Sequence, residues 1–128
     1  MYDLDRFLTA QRRVPELALF ERYPESDPSW FGFLIRLTPR AGFTRNELAE
    51  HLESRGIQTR NLFAGNLTRH PCFETLREGC DYRVAGRLAN TDELMNNAFW
   101  IGLYPGMTGA KLDFMIETIR NFCGGKSL

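Results

Sequence analysis

The chain has 128 residues, 43% of them hydrophobic and 12% aromatic, which is enough for one buried core and predicts a single domain spanning 1–128. Sixteen basic and sixteen acidic side chains cancel to a formal charge of zero, so the electrostatic footprint of a nucleic-acid binder is missing and any anionic partner must be met locally. No apolar run approaches the ~20 residues needed to span a bilayer, and the start, Met1-Tyr2-Asp3-Leu4-Asp5, lacks the basic-then-apolar pattern of a signal peptide; a soluble, cytoplasmic domain with no membrane partner is expected.

In chain order, residues 2–13 read as a helix with Leu4, Phe7 and Leu8 on one side, ending before Pro15. Residues 17–23 and 30–37 are apolar, aromatic-rich runs separated by Pro24-Glu25-Ser26-Asp27-Pro28, a turn composition, and predict an antiparallel strand pair. Thr44 opens a helix over 45–55, with Glu47 at the capping-box position, Phe43 able to staple onto Leu48, and Gly56 at the C-terminal cap. Leu48, Ala49 and Leu52 form its buried side, and His51 is expected on the solvated one.

Residues 57–63 read as a strand that must bury one face. Its exit is crowded with polar groups, Arg60, Asn61, Asn66, Thr68, Arg69 and His70, an arrangement suited to a sugar, phosphate or carboxylate. Arginine offers a planar fork to an oxyanion, and asparagine offers a donor and an acceptor to a hydroxyl. A turn-rich stretch follows. Asn90 is then expected to cap a short helix with Glu93 in a second capping box, a role that also accounts for the neighbouring Asp92. That helix leads to a strand over 99–104, stopped by Pro105-Gly106. From Thr108, Leu112, Met115, Ile116, Ile119, Phe122 and Cys123 recur at helical spacing until Gly124-Gly125, a stripe that should cover the sheet. Helices and strands in this order predict an α+β fold, a small antiparallel or mixed sheet with helices packed on one face. Trp30, Phe31, Phe33 and Trp100 are assigned to its core.

General catalytic motifs are missing: no phosphate-binding glycine loop, no Gly-x-Ser-x-Gly and no His-Glu-x-x-His. Cys72, Cys80 and Cys123 are odd in number with no Cys-x-x-Cys spacing, so they read as ordinary thiols, Cys123 in the core, and no metal ligands are assigned. No catalytic residue is assigned either, because neither histidine lies beside a nucleophile in a recognisable pattern.

The run Phe43-Thr44-Arg45-Asn46-Glu47-Leu48, then Gly56-Ile57-Gln58-Thr59-Arg60, a loop ending in His70-Pro71, and Leu103-Tyr104-Pro105-Gly106-Met107-Thr108 before an amphipathic helix resembles the C-terminal small domain of the DegT/StrS-type, fold type I, pyridoxal-phosphate-dependent nucleotide-sugar enzymes. Within that family, Leu62-Phe63-Ala64-Gly65-Asn66-Leu67-Thr68-Arg69, Asn90-Thr91-Asp92 and Asn96-Asn97-Ala98-Phe99-Trp100-Ile101-Gly102 look most like the branch of 3-dehydrases acting on CDP-4-keto-6-deoxy-D-glucose.

The resemblance implies an enzyme of dideoxysugar synthesis for lipopolysaccharide O-antigens, using pyridoxamine or pyridoxal phosphate and a [2Fe–2S] cluster. It also implies homodimers and an iron–sulfur flavin reductase as electron donor. Cofactor and cluster would belong mainly to a large domain that these residues do not include, so this part is not expected to be active alone. Its implied role is to close one wall of the substrate cleft, with Arg60 and Arg69 gripping the CDP-hexulose or its phosphates and Asn66, Thr68 and His70 hydrogen-bonding beside them. Two alternatives stay open: the small domain of a nucleotide-sugar aminotransferase, and a stand-alone nucleotide- or protein-binding module, which should lack an exposed apolar docking patch.

Overall fold

Alternation in Gly32–Leu37 sets the architecture: Phe33, Ile35 and Leu37 are buried on one side of the strand while Arg36 is exposed on the other. The computed structural model describes residues 4–125 apart from 12, 22 and 28. Along the chain it runs α1 (Leu4–Gln11), β1 (Leu17–Leu19), β2 (Gly32–Leu37), α2 (Arg45–Ser54), β3 (Thr59–Asn61), single-turn 3-10 helices at Leu67–Arg69 and Pro71–Phe73, α3 (Ala89–Asn97), β4 (Ala98–Gly102) and α4 (Gly109–Gly125). The four strands form one antiparallel sheet in the order β1-β2-β4-β3, so the α+β class, the element order and the antiparallel β1–β2 pair agree with expectation. No helix among the described residues is long and apolar enough to cross a membrane.

Register decides what faces the core. Phe33 lies opposite Ile101 and Ile35 opposite Phe99, and all four are essentially inaccessible. Helices α1, α2 and α4 lie over this side, with Phe7 edge-on to Phe33 at 4.4 Å and Phe43 edge-on to Phe122 at 4.9 Å between ring centroids. On α4, Leu112, Met115, Ile116, Ile119 and Cys123 are buried as the periodicity predicts, and the helix runs through Gly125 rather than stopping at Gly124. Cys72 and Cys80 are exposed.

Helix α2 is punctuated as its sequence says. Glu47 Oε2 accepts from the Thr44 backbone N–H at 2.7 Å, and Thr44 Oγ1 accepts from Glu47 N–H at 3.2 Å. At the other end Gly56, with φ +77°, donates to Glu53 O at 2.9 Å and Ile57 donates to Leu52 O at 2.9 Å, the paired bonds of a Schellman cap.

Several expectations need correction, among them the strands expected over 17–23 and 99–104, which are Leu17–Leu19 and Ala98–Gly102. The first helix spans Leu4–Gln11, with Arg13 already in a turn and residues 2, 3 and 12 outside the described residues. The strand expected over 57–63 is only Thr59–Asn61, because Ile57 completes the helix cap and the chain turns at Phe63, whose φ is +44°. Helix α3 starts at Ala89 with Leu88 as its cap residue and no side-chain cap, so Asn90 and Glu93 form no capping box; Glu93 instead pairs with Arg36 of β2 at 3.2 Å. His51 is not fully solvated: its ring packs 4.7 Å from that of Phe122. Of the aromatics assigned to the core, Phe33 is fully buried and Trp30 packs against the core, but Phe31 is 81% exposed and Trp100 sits on the sheet's other face.

Candidate functional site

The polar run begins on β3, the edge strand. Thr59 and Asn61 point to α2, where Thr59 Oγ1 donates to Glu53 Oε1 at 2.5 Å and Asn61 Oδ1 accepts from Arg45 Nη1. Arg60 alternates the other way and lies opposite Trp100 in the β3–β4 register, so both occupy the face that α1, α2 and α4 leave uncovered. Arg60 is exposed, has no ion-pair partner among the described residues, and borders a shallow hollow of about 450 Å³ with Glu53, Gly56, Gln58 and Thr59.

Past β3 the chain loops back onto α3. Asn66 is buried: its Oδ1 accepts from Thr68 N–H at 3.1 Å and from Thr68 Oγ1 at 2.7 Å, while its Nδ2 donates to Asp92 Oδ1 at 2.6 Å. Arg69 grips the same carboxylate with both prongs, Nε to Oδ1 and Nη2 to Oδ2, each 2.7 Å. These bonds, the Arg69 guanidinium first and the Asn66 amide second, hold the Asp92 carboxyl at about 2, below its ordinary 3.8, and the same pairing raises Arg69. His70 Nε2 is 2.5 Å from the Ala64 carbonyl; because that oxygen only accepts, Nε2 carries the proton.

Asn66, Thr68, Arg69 and His70 are therefore brought together, but by bonds within the protein, whereas Arg60 stands apart with its donors uncommitted among the described residues. The residue that sequence reasoning missed is Asp92. Its place near a predicted helix start offered capping as a sufficient account, and nothing local signals a partner 23 residues upstream.

Beside this segment, Trp100 forms an aromatic row with Phe31 and Phe63, ring centroids 6.2 and 5.9 Å away and both rings edge-on. Phe31 and Phe63 are 81% and 78% exposed, and Trp100 Nε1 has no hydrogen-bond partner among the described residues. A separate apolar groove of about 540 Å³ lies between 56–58 and α4, with Met107, Phe114 and Met115 in its walls and Lys111 bonded to the Tyr104 hydroxyl. It contains none of the predicted binding residues.

Residues 5–120 match the model of the DegT/DnrJ/EryC1/StrS aminotransferase family. The chain is 48% identical over 114 residues to dTDP-4-dehydro-2,6-dideoxy-D-glucose 3-dehydratase of Saccharopolyspora spinosa, covering 89% of this chain and 24% of that protein. It is also 48% identical over 108 residues to lipopolysaccharide biosynthesis protein RfbH of Salmonella typhimurium, covering 84% and 24%. The chain thus spans about a quarter of the length of these curated relatives. Among solved structures, Escherichia coli GDP-4-keto-6-deoxy-D-mannose-3-dehydratase with bound hydrated PLP superposes with a TM-score of 0.76 at 25% identity, over 91% of this chain and 28% of that one. A Brucella abortus DegT DnrJ EryC1 StrS aminotransferase shares the fold, with a TM-score of 0.74 at 21% identity over 94% and 29%. The chain belongs to the DegT/DnrJ/EryC1/StrS aminotransferase family, and its fold is that of a piece of a fold type I enzyme.

Proposed function

We infer that this domain closes one wall of the substrate cleft in a pyridoxamine-phosphate-dependent 3-dehydratase acting on a nucleotide-linked 4-keto-6-deoxyhexose, the CDP form, in cytoplasmic O-antigen dideoxysugar synthesis. The observation that carries the reading is the segment from Arg60 to His70, a set of donors held in one conformation beside an uncommitted guanidinium, in a chain 48% identical to a sugar 3-dehydratase. Arg60 is the proposed contact to the diphosphate. Asn66, buried, shapes the wall from behind, while Thr68, Arg69 and His70 offer their remaining polar edges to the sugar; Arg69, 61% exposed, retains N–H groups that Asp92 does not use.

The cofactors do not fit the described residues. Lys111 is engaged by Tyr104, Cys123 is buried, and among the described residues no three His, Cys, Asp or Glu side chains converge on a point. The reading therefore assigns pyridoxamine phosphate and a [2Fe–2S] cluster to the remainder of the full-length protein, a homodimer reduced by an iron–sulfur flavoprotein. The exposed Phe31 and Phe63, packed on half-buried Trp100, support a large domain of the same protein as neighbour, because such a patch is costly to leave in water.

The test is the full-length protein and its Arg60→Ala variant. The purified protein should show iron–sulfur absorption and bind pyridoxamine phosphate; a lysine-bound pyridoxal chromophore without a cluster would make it an aminotransferase instead. Losing one or two charge-assisted bonds should raise KM for CDP-4-keto-6-deoxyglucose by about 10- to 100-fold without lowering the melting temperature. Unchanged kinetics would remove Arg60 from the site.

A further inference from the structure

We propose that Asp92 is the positioning residue of the 61–70 loop: by holding Arg69 and Asn66 together, it fixes the directions in which that loop presents its donors to a nucleotide-linked sugar. The inference rests on the substrate-cleft reading and adds to it a residue from outside the loop. One carboxylate takes three short bonds, from Arg69 Nε, Arg69 Nη2 and Asn66 Nδ2, at 2.7, 2.7 and 2.6 Å. Through Asn66 it also reaches Thr68, whose hydroxyl and N–H both donate to the far side of that amide.

Helix α3 makes a second seat one turn further along. Met95 Sδ accepts from the Asn66 N–H at 3.3 Å, and a Cβ on Gly65 would lie 2.4 Å from Met95 Cγ. Gly65 itself has φ +63°, so the loop lies against the helix only because that position carries no side chain. Phe63, two residues earlier, holds φ +44° with its ring in solvent. A non-glycine residue in this conformation persists where its surroundings over-determine it.

An ion pair whose arginine is 61% exposed contributes little to folding, yet this one is bidentate and shared with a buried amide. What such geometry supplies is direction. The carboxylate also cancels the charge of Arg69, so this wall offers neutral-paired donors suited to hydroxyl and keto oxygens, while Arg60, with no carboxylate partner among the described residues, keeps its full charge for phosphate.

The experiment compares full-length protein carrying Asp92→Ala, Asp92→Asn or Arg60→Ala, reading trypsin cleavage after Arg69 in the folded state together with KM and kcat for CDP-4-keto-6-deoxyglucose. Asp92→Ala should speed cleavage about tenfold and raise KM by about 10- to 100-fold with kcat within about threefold, the effect of losing one or two well-aimed polar contacts made equally in ground and transition state. Asp92→Asn, which keeps an accepting oxygen but not the charge, should fall between, and it carries the same comparison if the alanine variant does not fold. Wild-type cleavage and KM in a folded Asp92 variant would overturn the proposal. A raised KM in Arg60→Ala alone would overturn it while leaving the substrate-cleft reading intact. Faster cleavage with KM unmoved in all variants would overturn that reading itself, and the substrate role of Asp92 with it.

Discussion

Single residues in this domain differ most in how far their partners lie from them in sequence. Cys123 is legible from periodicity alone: it falls on the α4 stripe, is buried, and has its thiol pushed up to about 12, by burial first and the charge of Glu16 second. Iodoacetamide on the native chain should therefore alkylate Cys72 and Cys80, with Cys123 reacting only after denaturation; peptide mass spectrometry reads this directly. Asp92 is the opposite case, because both its partners come from a loop folded back across α3. Its carboxyl is held at about 2 against an ordinary 3.8, so its contribution is fully present above about pH 4 and is lost as pH falls through about 2. The Arg69 side-chain N–H signal, followed by NMR, should stay constant from pH 8 to 5 and move toward its free value only below about pH 4.

At the scale of elements, what was legible tracks how local the determining contacts are. Helix α2 was readable at both ends because a capping box and a Schellman cap are made by residues within a few positions of each other. Thr44→Ala should cost about 1 kcal/mol in chemical denaturation, with the helix retained by Leu48 and Leu52 in the core. Helix α3 carried equally suggestive letters, Asn90 and Glu93, and used neither as a cap. Glu93 is taken by Arg36 of the strand beneath it and Asn90 lies inside the first turn. Strand β3 shrank for a similar reason. The run expected as strand continues in sequence to Phe63, but an edge strand pairs only where β4 runs beside it, opposite 99–101.

For the whole molecule, the uneven treatment of the two sheet faces is the main feature. Three helices cover the face of Phe33, Ile35, Phe99 and Ile101, while the other face has the short α3 and the row of Phe31, Trp100 and Phe63. The chain on its own should bind an apolar dye such as ANS while remaining folded, and the double substitution Phe31→Ser with Phe63→Ser should cut that fluorescence severalfold without changing the near-ultraviolet signature of the core.

By itself the sequence determined the fold class, the order of elements, the α4 stripe, the caps of α2 and the family resemblance, all of which are carried by periodicity, short-range hydrogen bonding or contiguous motifs. It also marked out Arg60 and the run from Asn66 to His70 as a place where polar chemistry gathers. Only the tertiary structure decided that Arg60 has no partner among the described residues while Arg69 and Asn66 are bound to Asp92, and that Phe31 and Trp100 lie on the uncovered face. The reason is physical: a side chain's alternation fixes which face it occupies, but whether that face is covered, and by which distant carboxylate or ring, depends on strand register and on where a loop folds back, neither of which leaves a local mark.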